Sequence, residues 1–267
     1  MIFPLFFWLM LAACLTISAI GFKNYVWFIS LGYGFSIAGE GLLMMLLYYS
    51  GLSSGTLLCC LLLLAYGLRL GGYLLIRERK SASYSKTMQG EIKEGKDIPF
   101  GVKVSIWITC GALYVTQVIP VFYRLHNGTG SDLWTYVGAF VAAFGLIFES
   151  ASDWQKNAAK KNNPHRFVDT GLYRIVRCPN YLGEMVFWTG ILLSGIGSLS
   201  GIGQWIMALI GYAGIIYVMF SGARRLEIRQ NKNYGNDPAY QQYVKTVPIL
   251  LPFTRMYSVE KHKWLVA

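Results

Sequence analysis

Residues 56–76 read TLLCCLLLLAYGLRLGGYLLI, and this stretch decides the fold class. It runs for 21 residues with one charge, Arg69. A helix crossing a hydrocarbon core about 30 Å thick needs about 20 predominantly apolar residues, so the stretch predicts a membrane span. Six further stretches have the same character: residues 2–20, 25–49, 104–123, 133–148, 181–199 and 204–220. The fifth in chain order, 133–148, is short and is expected to stand upright or to borrow a flanking turn. The first has neither a basic segment ahead of it nor a small-residue cleavage site, and is expected to be retained as a span rather than removed as a signal peptide.

Composition agrees. Of the 267 residues 54% are hydrophobic and 14% charged, with a mean hydropathy of +0.42. Soluble domains carry about 25% charged residues, which argues against a soluble enzyme, a disordered chain or a soluble nucleic-acid binder. The expected class is an all-α integral membrane protein, a single seven-helix domain over residues 1–267.

The net charge of +11 is explained by topology. The segments after the first, third, fifth and seventh stretches hold 1, 7, 6 and 8 Lys and Arg residues, against one, Arg124, in the opposite segments. Basic residues concentrate on the cytoplasmic side, so the N-terminus is expected outside and the C-terminus in the cytoplasm. The basic segments 77–103 and 149–180 and the tail 223–267 then form one chemical face. The five cysteines, 14, 59, 60, 110 and 178, show no CxxC or Cys/His ligand spacing. No disulfide framework and no metal site is expected.

Ionisable residues inside spans are costly and mark partners, cavities or sites. Glu40 lies in the second stretch and Arg69 in the third. Tyr66, Arg69 and Tyr73 recur at spacings of three and four, which places them on one helix face. Either Glu40 and Arg69 pair to hold two helices together, or the group lines a buried pocket. A denser run follows, Glu149–Ser–Ala–Ser–Asp153–Trp–Gln155–Lys156, then Arg166, then Gly171–Leu–Tyr173–Arg174–Ile–Val–Arg177–Cys178–Pro179–Asn180–Tyr181–Leu–Gly183–Glu184. Pro179 suits the first turn of a helix. Arg174, Arg177 and Asn180 would then gather at a helix N-terminus, a setting suited to a diphosphate or carboxylate.

These motifs resemble the steroid 5α-reductase family in its bacterial form. The likeness rests on Glu149-x3-Asp153-x-Gln155-Lys156, on Gly171 to Glu184, and on the tail from Tyr240–Gln–Gln–Tyr243 to Pro248–Ile–Leu–Leu–Pro252. It implies a seven-helix enzyme that uses NADPH to reduce the conjugated double bond of a steroid enone. On that resemblance Tyr66 binds the substrate carbonyl and Glu40 partners it. Arg69, Tyr73, Glu149, Asp153, Arg166, Arg174, Arg177, Asn180, Glu184 and Arg225 fall to the cofactor, and Trp188 to the substrate pocket. One departure stands out: bacterial members usually read Arg-His-Pro-Asn-Tyr, and the His position here is Cys178. The resemblance also implies an apolar substrate arriving from the bilayer of a bacterial inner membrane, and a site opening to the cytoplasm.

Two other readings predict different behaviour. An isoprenylcysteine-type carboxyl methyltransferase using S-adenosylmethionine shares the Gly-x-Tyr and Arg-x-Pro-x-Tyr elements. Its Glu-Glu pair after the last span is here only Glu227–Ile228. A non-enzymatic sterol-binding membrane protein would keep the fold and show no cofactor affinity.

Overall fold

The computed structural model describes residues 3–80 and 98–266. Part of the expected loop 77–103, residues 81–97, lies outside the described residues. Among those described there is no strand. Nine helices are described: α1 (Leu5–Ser18), α2 (Leu31–Leu47), α3 (Ser54–Lys80), α4 (Phe100–Gln117), α5 (Ile119–His126), α6 (Leu133–Asn162), α7 (Pro179–Ser194), α8 (Gly201–Tyr234) and α9 (Pro238–Thr246). Among the described residues five segments are long and apolar enough to cross a membrane: Leu5–Phe22, Tyr25–Leu47, Ser54–Arg79, Leu133–Asn162 and Gly201–Tyr234.

The other two expected spans differ in form. Residues 104–123 do not make one straight helix; α4 and α5 meet at a bend of 57°, and the pair counts as a sixth span only if taken together. Pro120 explains the break. It has no N–H to offer the carbonyl one turn back, and its ring crowds that carbonyl. The stretch 181–199 is covered by α7, only 16 residues long, or about 24 Å. It stops before Gly195, which presses on Pro120, and Gly197, whose φ is +83°. Conversely, the short fifth stretch is the start of a 30-residue helix that runs on through Glu149 and Asp153 to Asn162.

The chain packs as two compact units, Met1–Ala139 with Ile191–Tyr212, and Phe140–Gly190 with Ala213–Ala267. The first is organised on the contact between α2 and α3. A Cβ added at Gly67 would overlap both Ala38 N and Gly34 O, and one at Gly34 would lie 2.7 Å from Gly71 N. A Cβ at Gly41 would lie 2.7 Å from Cys60 O. Small residues at these spacings let the two backbones touch, the usual device where lipid removes the hydrophobic drive between helices. Glu40 and Tyr66 each sit next to a glycine of this seam.

Arg124 fastens another part of the same unit. Its side chain is 1% exposed and donates to Ser194 O, Gly130 O, Ile196 O and the Asp132 carboxylate, at 2.7–3.0 Å. The lone cation of the expected outward segments is thus a buried staple between chain segments.

In the second unit a similar seam joins α6 and α7. A Cβ at Gly145 would overlap Phe187 N, and one at Gly183 would come within 2.6 Å of Glu149 N. The tail is laid down beside α7: Arg177 N–H donates to Pro248 O and Cys178 N–H to Ile249 O, both at 2.9 Å. Tyr240 and Tyr243 of α9 close on Phe167, and the Tyr243 hydroxyl donates to Tyr173 O at 2.7 Å.

The α2–α3 seam makes a paired prediction. Gly67→Val forces the two backbones apart and should destabilise the protein by about 1–3 kcal/mol or more. Gly72→Ala, where an added Cβ meets nothing within 4 Å, should not. Thermal unfolding of the two variants in the same detergent checks this, and equal melting temperatures would contradict the seam.

Candidate active site

The polar residues of the first unit form a buried cluster. Glu40 and Tyr66 are both 0% exposed. Their neighbours differ from those expected. Glu40 Oε1 accepts the Cys14 thiol at 2.8 Å, and Oε2 has no hydrogen-bond partner among the described residues. Among the described residues Glu40 makes no ion pair with Arg69. Tyr66 instead meets Tyr33, hydroxyl to hydroxyl at 3.0 Å, with the two rings edge to face. Tyr33 also lies against Tyr114, ring centroids 5.2 Å apart, and the Tyr114 hydroxyl donates to Phe28 O at 2.5 Å. Arg69 and Tyr73 are half-buried, as their shared face with Tyr66 suggested, with the Arg69 guanidinium 5.6 Å from the Tyr73 ring centre.

Three members of this cluster, Cys14, Tyr33 and Tyr114, were not singled out from sequence. Tyr33 carried a usable signal, since it precedes Glu40 by seven residues and so shares its helix face. Cys14 carried none. A cysteine in an apolar run reads as packing, and only the crossing of α1 over α2 brings its thiol to the carboxylate.

In the second unit Glu149, Asp153, Glu184 and Trp188 are all buried, 2–6% exposed. Glu149 and Asp153, one turn apart on α6, therefore face the protein interior rather than solvent. Gln155 serves its own loop. Its Oε1 accepts the Leu172 N–H at 2.8 Å and abuts Gly171, whose φ of +60° excludes most side chains.

The expected grouping of Arg174, Arg177 and Asn180 does not form as read. Arg177 is buried and paired through Nη2 with Glu227 Oε1 at 2.8 Å. The same nitrogen donates to Tyr257 O, and Glu227 Oε2 accepts the Val259 N–H at 2.9 Å. Arg174 is exposed and lines an open cleft of about 560 Å³ with Arg255, Thr246, Thr254 and Phe253. Arg225 is exposed too, and Arg166, 52% exposed, pairs with Asp169 at 2.6 Å. No local pattern marks Glu227 for this role, which needs the tail about thirty residues further along the chain. Cys178 is 2% exposed. Burial pushes its thiol up to about 12, against the opposing pull of Arg177 and Lys156, so it is a packing residue rather than a reactive thiolate.

The unit also holds polar atoms that its own side chains leave unmatched. Arg177 Nε and Nη1, Asn180 Oδ1 and Ser221 Oγ are buried without a hydrogen-bond partner among the described residues. A Cβ added at Gly222 would lie 3.3 Å from the Tyr181 ring, so the first turn of α7 passes close to the stretch of α8 that carries Ser221. Buried donors and acceptors left this way are costly in an isolated fold. The Arg177 donors suit an anionic group, and Asn180 Oδ1 suits a donor such as a hydroxyl or amide N–H.

The DUF1295 family, described as proteins of unknown function, matches residues 21–247 of this sequence. The chain belongs to the DUF1295 family. No curated protein and no solved structure matches it. The match takes in α2 to α9 of this DUF1295 protein, with Tyr33, Glu40, Tyr66 and Tyr114 but not Cys14, and stops before the end of the tail that Arg177 and Glu227 hold.

The buried pair sets a stability prediction. Arg177→Met leaves Glu227 charged and unpaired, and should cost about 3–5 kcal/mol, whereas joint replacement, Arg177→Met with Glu227→Leu, should recover much of that loss. Chemical unfolding of both variants, read by tryptophan fluorescence, checks the difference. Equal losses would mean the two side chains act separately.

Proposed function

We propose that this protein is an NADPH-dependent reductase of conjugated enones carried on an apolar, steroid-like skeleton. The observation that supports it best is the Tyr66–Tyr33 hydroxyl pair, buried without exposure in an apolar helix packing. A phenol held there is a proton donor in a dry site. The DUF1295 family is associated with steroid 5α-reductase-like membrane proteins, which agrees with the motif resemblance. The proposal includes seven spans, with α7 and the bent α4–α5 pair as two of them. It places the N-terminus outside a bacterial inner membrane and the basic segments on the cytoplasmic side, following the alternation of Lys and Arg.

Reduction of an enone adds hydride at the β-carbon, moves the electron pair onto the carbonyl oxygen, and ends with a proton at the α-carbon. NADPH, when bound, supplies the hydride. The Tyr66 O–H hydrogen-bonds the carbonyl oxygen and stabilises the negative charge that develops there, and a preorganised donor in a low-dielectric site is worth most at that moment. Tyr33 holds the Tyr66 hydroxyl in place and can relay its proton. Glu40, oriented through one oxygen by Cys14, keeps its other oxygen for acid–base work in the same cluster. In the second unit Arg177, Asn180 and Ser221 offer the buried donors and acceptors that a dinucleotide needs. Glu149, Asp153 and Glu184 add acceptors for its hydroxyl and amide groups, with Arg166, Arg174 and Arg225 as further candidate contacts in the same unit; Arg69 and Tyr73 fall to the cofactor on the resemblance alone. Trp188 would wall the substrate pocket.

The decisive experiment is anaerobic incubation of detergent-purified protein with NADPH and a 3-oxo-Δ4 steroid, with the product identified by mass spectrometry. A dihydro steroid is expected. Tyr66→Phe should lower kcat by about 10²–10³-fold, the usual effect of losing one such donor, while thermal stabilisation by NADPH is retained. Full turnover in Tyr66→Phe would overturn the proposed chemistry. Absence of both product and NADPH stabilisation, with methyl transfer from S-adenosylmethionine to a prenylated thiol, would establish the methyltransferase instead.

A further inference from the structure

Gln117 is the last residue of α4 and is 3% exposed, yet neither its Oε1 nor its Nε2 has a hydrogen-bond partner among the described residues. Its chain neighbours Val115, Val118 and Ile119 are fully buried and apolar. A primary amide enclosed this way forfeits its hydrogen bonds to water at both ends. A leucine of nearly the same shape would fill the position at no such cost, so packing alone does not account for the amide.

Its place in the fold suggests what it meets. Tyr114 lies three residues earlier on α4, on the same side of the helix and about 4.5 Å along its axis. The Tyr114 ring packs on Tyr33, whose hydroxyl touches that of Tyr66. Gln117 therefore lies one turn beyond Tyr114 on the side of α4 that carries this tyrosine group. The backbone there has little freedom. α4 ends in the 57° bend, and α8 approaches so closely that a Cβ on Gly211 would overlap Thr116 O and lie 2.7 Å from Gln117 N. A side chain on such a fixed backbone is well placed to read a ligand.

We propose that Gln117 is a specificity-determining residue that binds a second oxygen of the substrate, and that this oxygen is a hydroxyl. An amide with both ends unmatched is satisfied by a group that donates and accepts together. A hydroxyl donates to Oε1 and accepts from Nε2, whereas a ketone engages Nε2 alone and a hydrocarbon engages neither. The substrate class is accordingly a hydroxylated enone. The inference rests on the reductase reading for the chemistry but not for the binding contact.

The test compares three 3-oxo-Δ4 steroids that differ at one carbon: a hydroxyl (testosterone), a ketone (androstenedione) and no oxygen (androst-4-en-3-one). Equilibrium binding by tryptophan fluorescence and NADPH-dependent turnover are measured for wild type and Gln117→Leu. Wild type should bind the hydroxy steroid at least about tenfold more tightly than the deoxy one, as expected for a buried amide left unpaired, with the ketone between. Gln117→Leu should bring all three within about threefold of one another, with a melting temperature no lower than wild type. The proposal is overturned if wild type does not discriminate, if Gln117→Leu keeps the discrimination, or if none of the three binds. It is also overturned if Gln117→Leu lowers the melting temperature without changing the ranking, which would assign the amide a structural role. Discrimination in binding without any NADPH-dependent product would support Gln117 as the hydroxyl contact and overturn the reductase reading alone.

Discussion

Backbone contact between α2 and α3 is the constraint from which the first unit follows. At Gly34, Gly41 and Gly67 the helices approach too closely for any side chain. In a bilayer this closeness must come from van der Waals contact, because apolar residues gain little by leaving lipid for protein. The same contact sets the chemistry. Glu40 and Tyr66 are held beside glycines of the seam, so their surroundings are fixed by backbone rather than by flexible side chains. A carboxylate and a phenol held this rigidly need little reorganisation when charge develops nearby.

The second unit repeats the device with different chemistry. Gly145 and Gly183 bring α6 and α7 together at Glu149, and the acidic motif is buried as a result. The Arg177–Glu227 pair then ties the chain just ahead of α7 to α8 and, through Tyr257 and Val259, to the tail. Breaking one half of a buried ion pair leaves an uncompensated charge, so the pair, the tail and the neighbouring unmatched donors are energetically linked. The tail motif of two tyrosines and a proline has a packing explanation: Tyr240 and Tyr243 close on Phe167, and Pro248 accepts the Arg177 N–H.

Helical membrane character was legible in the sequence because a span announces itself locally, through about twenty residues without a compensated charge. Burial of Glu40 and Tyr66 was legible for the same reason. The bend at Pro120 was not, although proline marked it, because hydropathy averages over a window and is blind to a single missing N–H. Nor was the reach of α6 past residue 148, since helix and hydrophobic span are different properties and only the second shows in a hydropathy window.

The partners of those polar residues were decided by tertiary structure alone. Glu40 meets Cys14 across 26 residues, Arg177 meets Glu227 across 50, and Tyr66 meets Tyr33 across 33. No periodicity within one helix encodes such pairings, because they depend on which helix crosses which, and at what height. Gln117 shows the same division. Its residue type and its place at the end of an apolar run are written in the sequence. That its amide is enclosed without a partner among the described residues shows only in the packed structure, where α8 closes on the broken end of α4. The sequence by itself determined an apolar, helical, membrane-suited chain with a few costly polar groups inside it. Only the packed structure decided which of those groups satisfy one another and which are left with bonding capacity to offer a ligand, because hydrogen bonding is settled over a few ångströms in space and not along the chain.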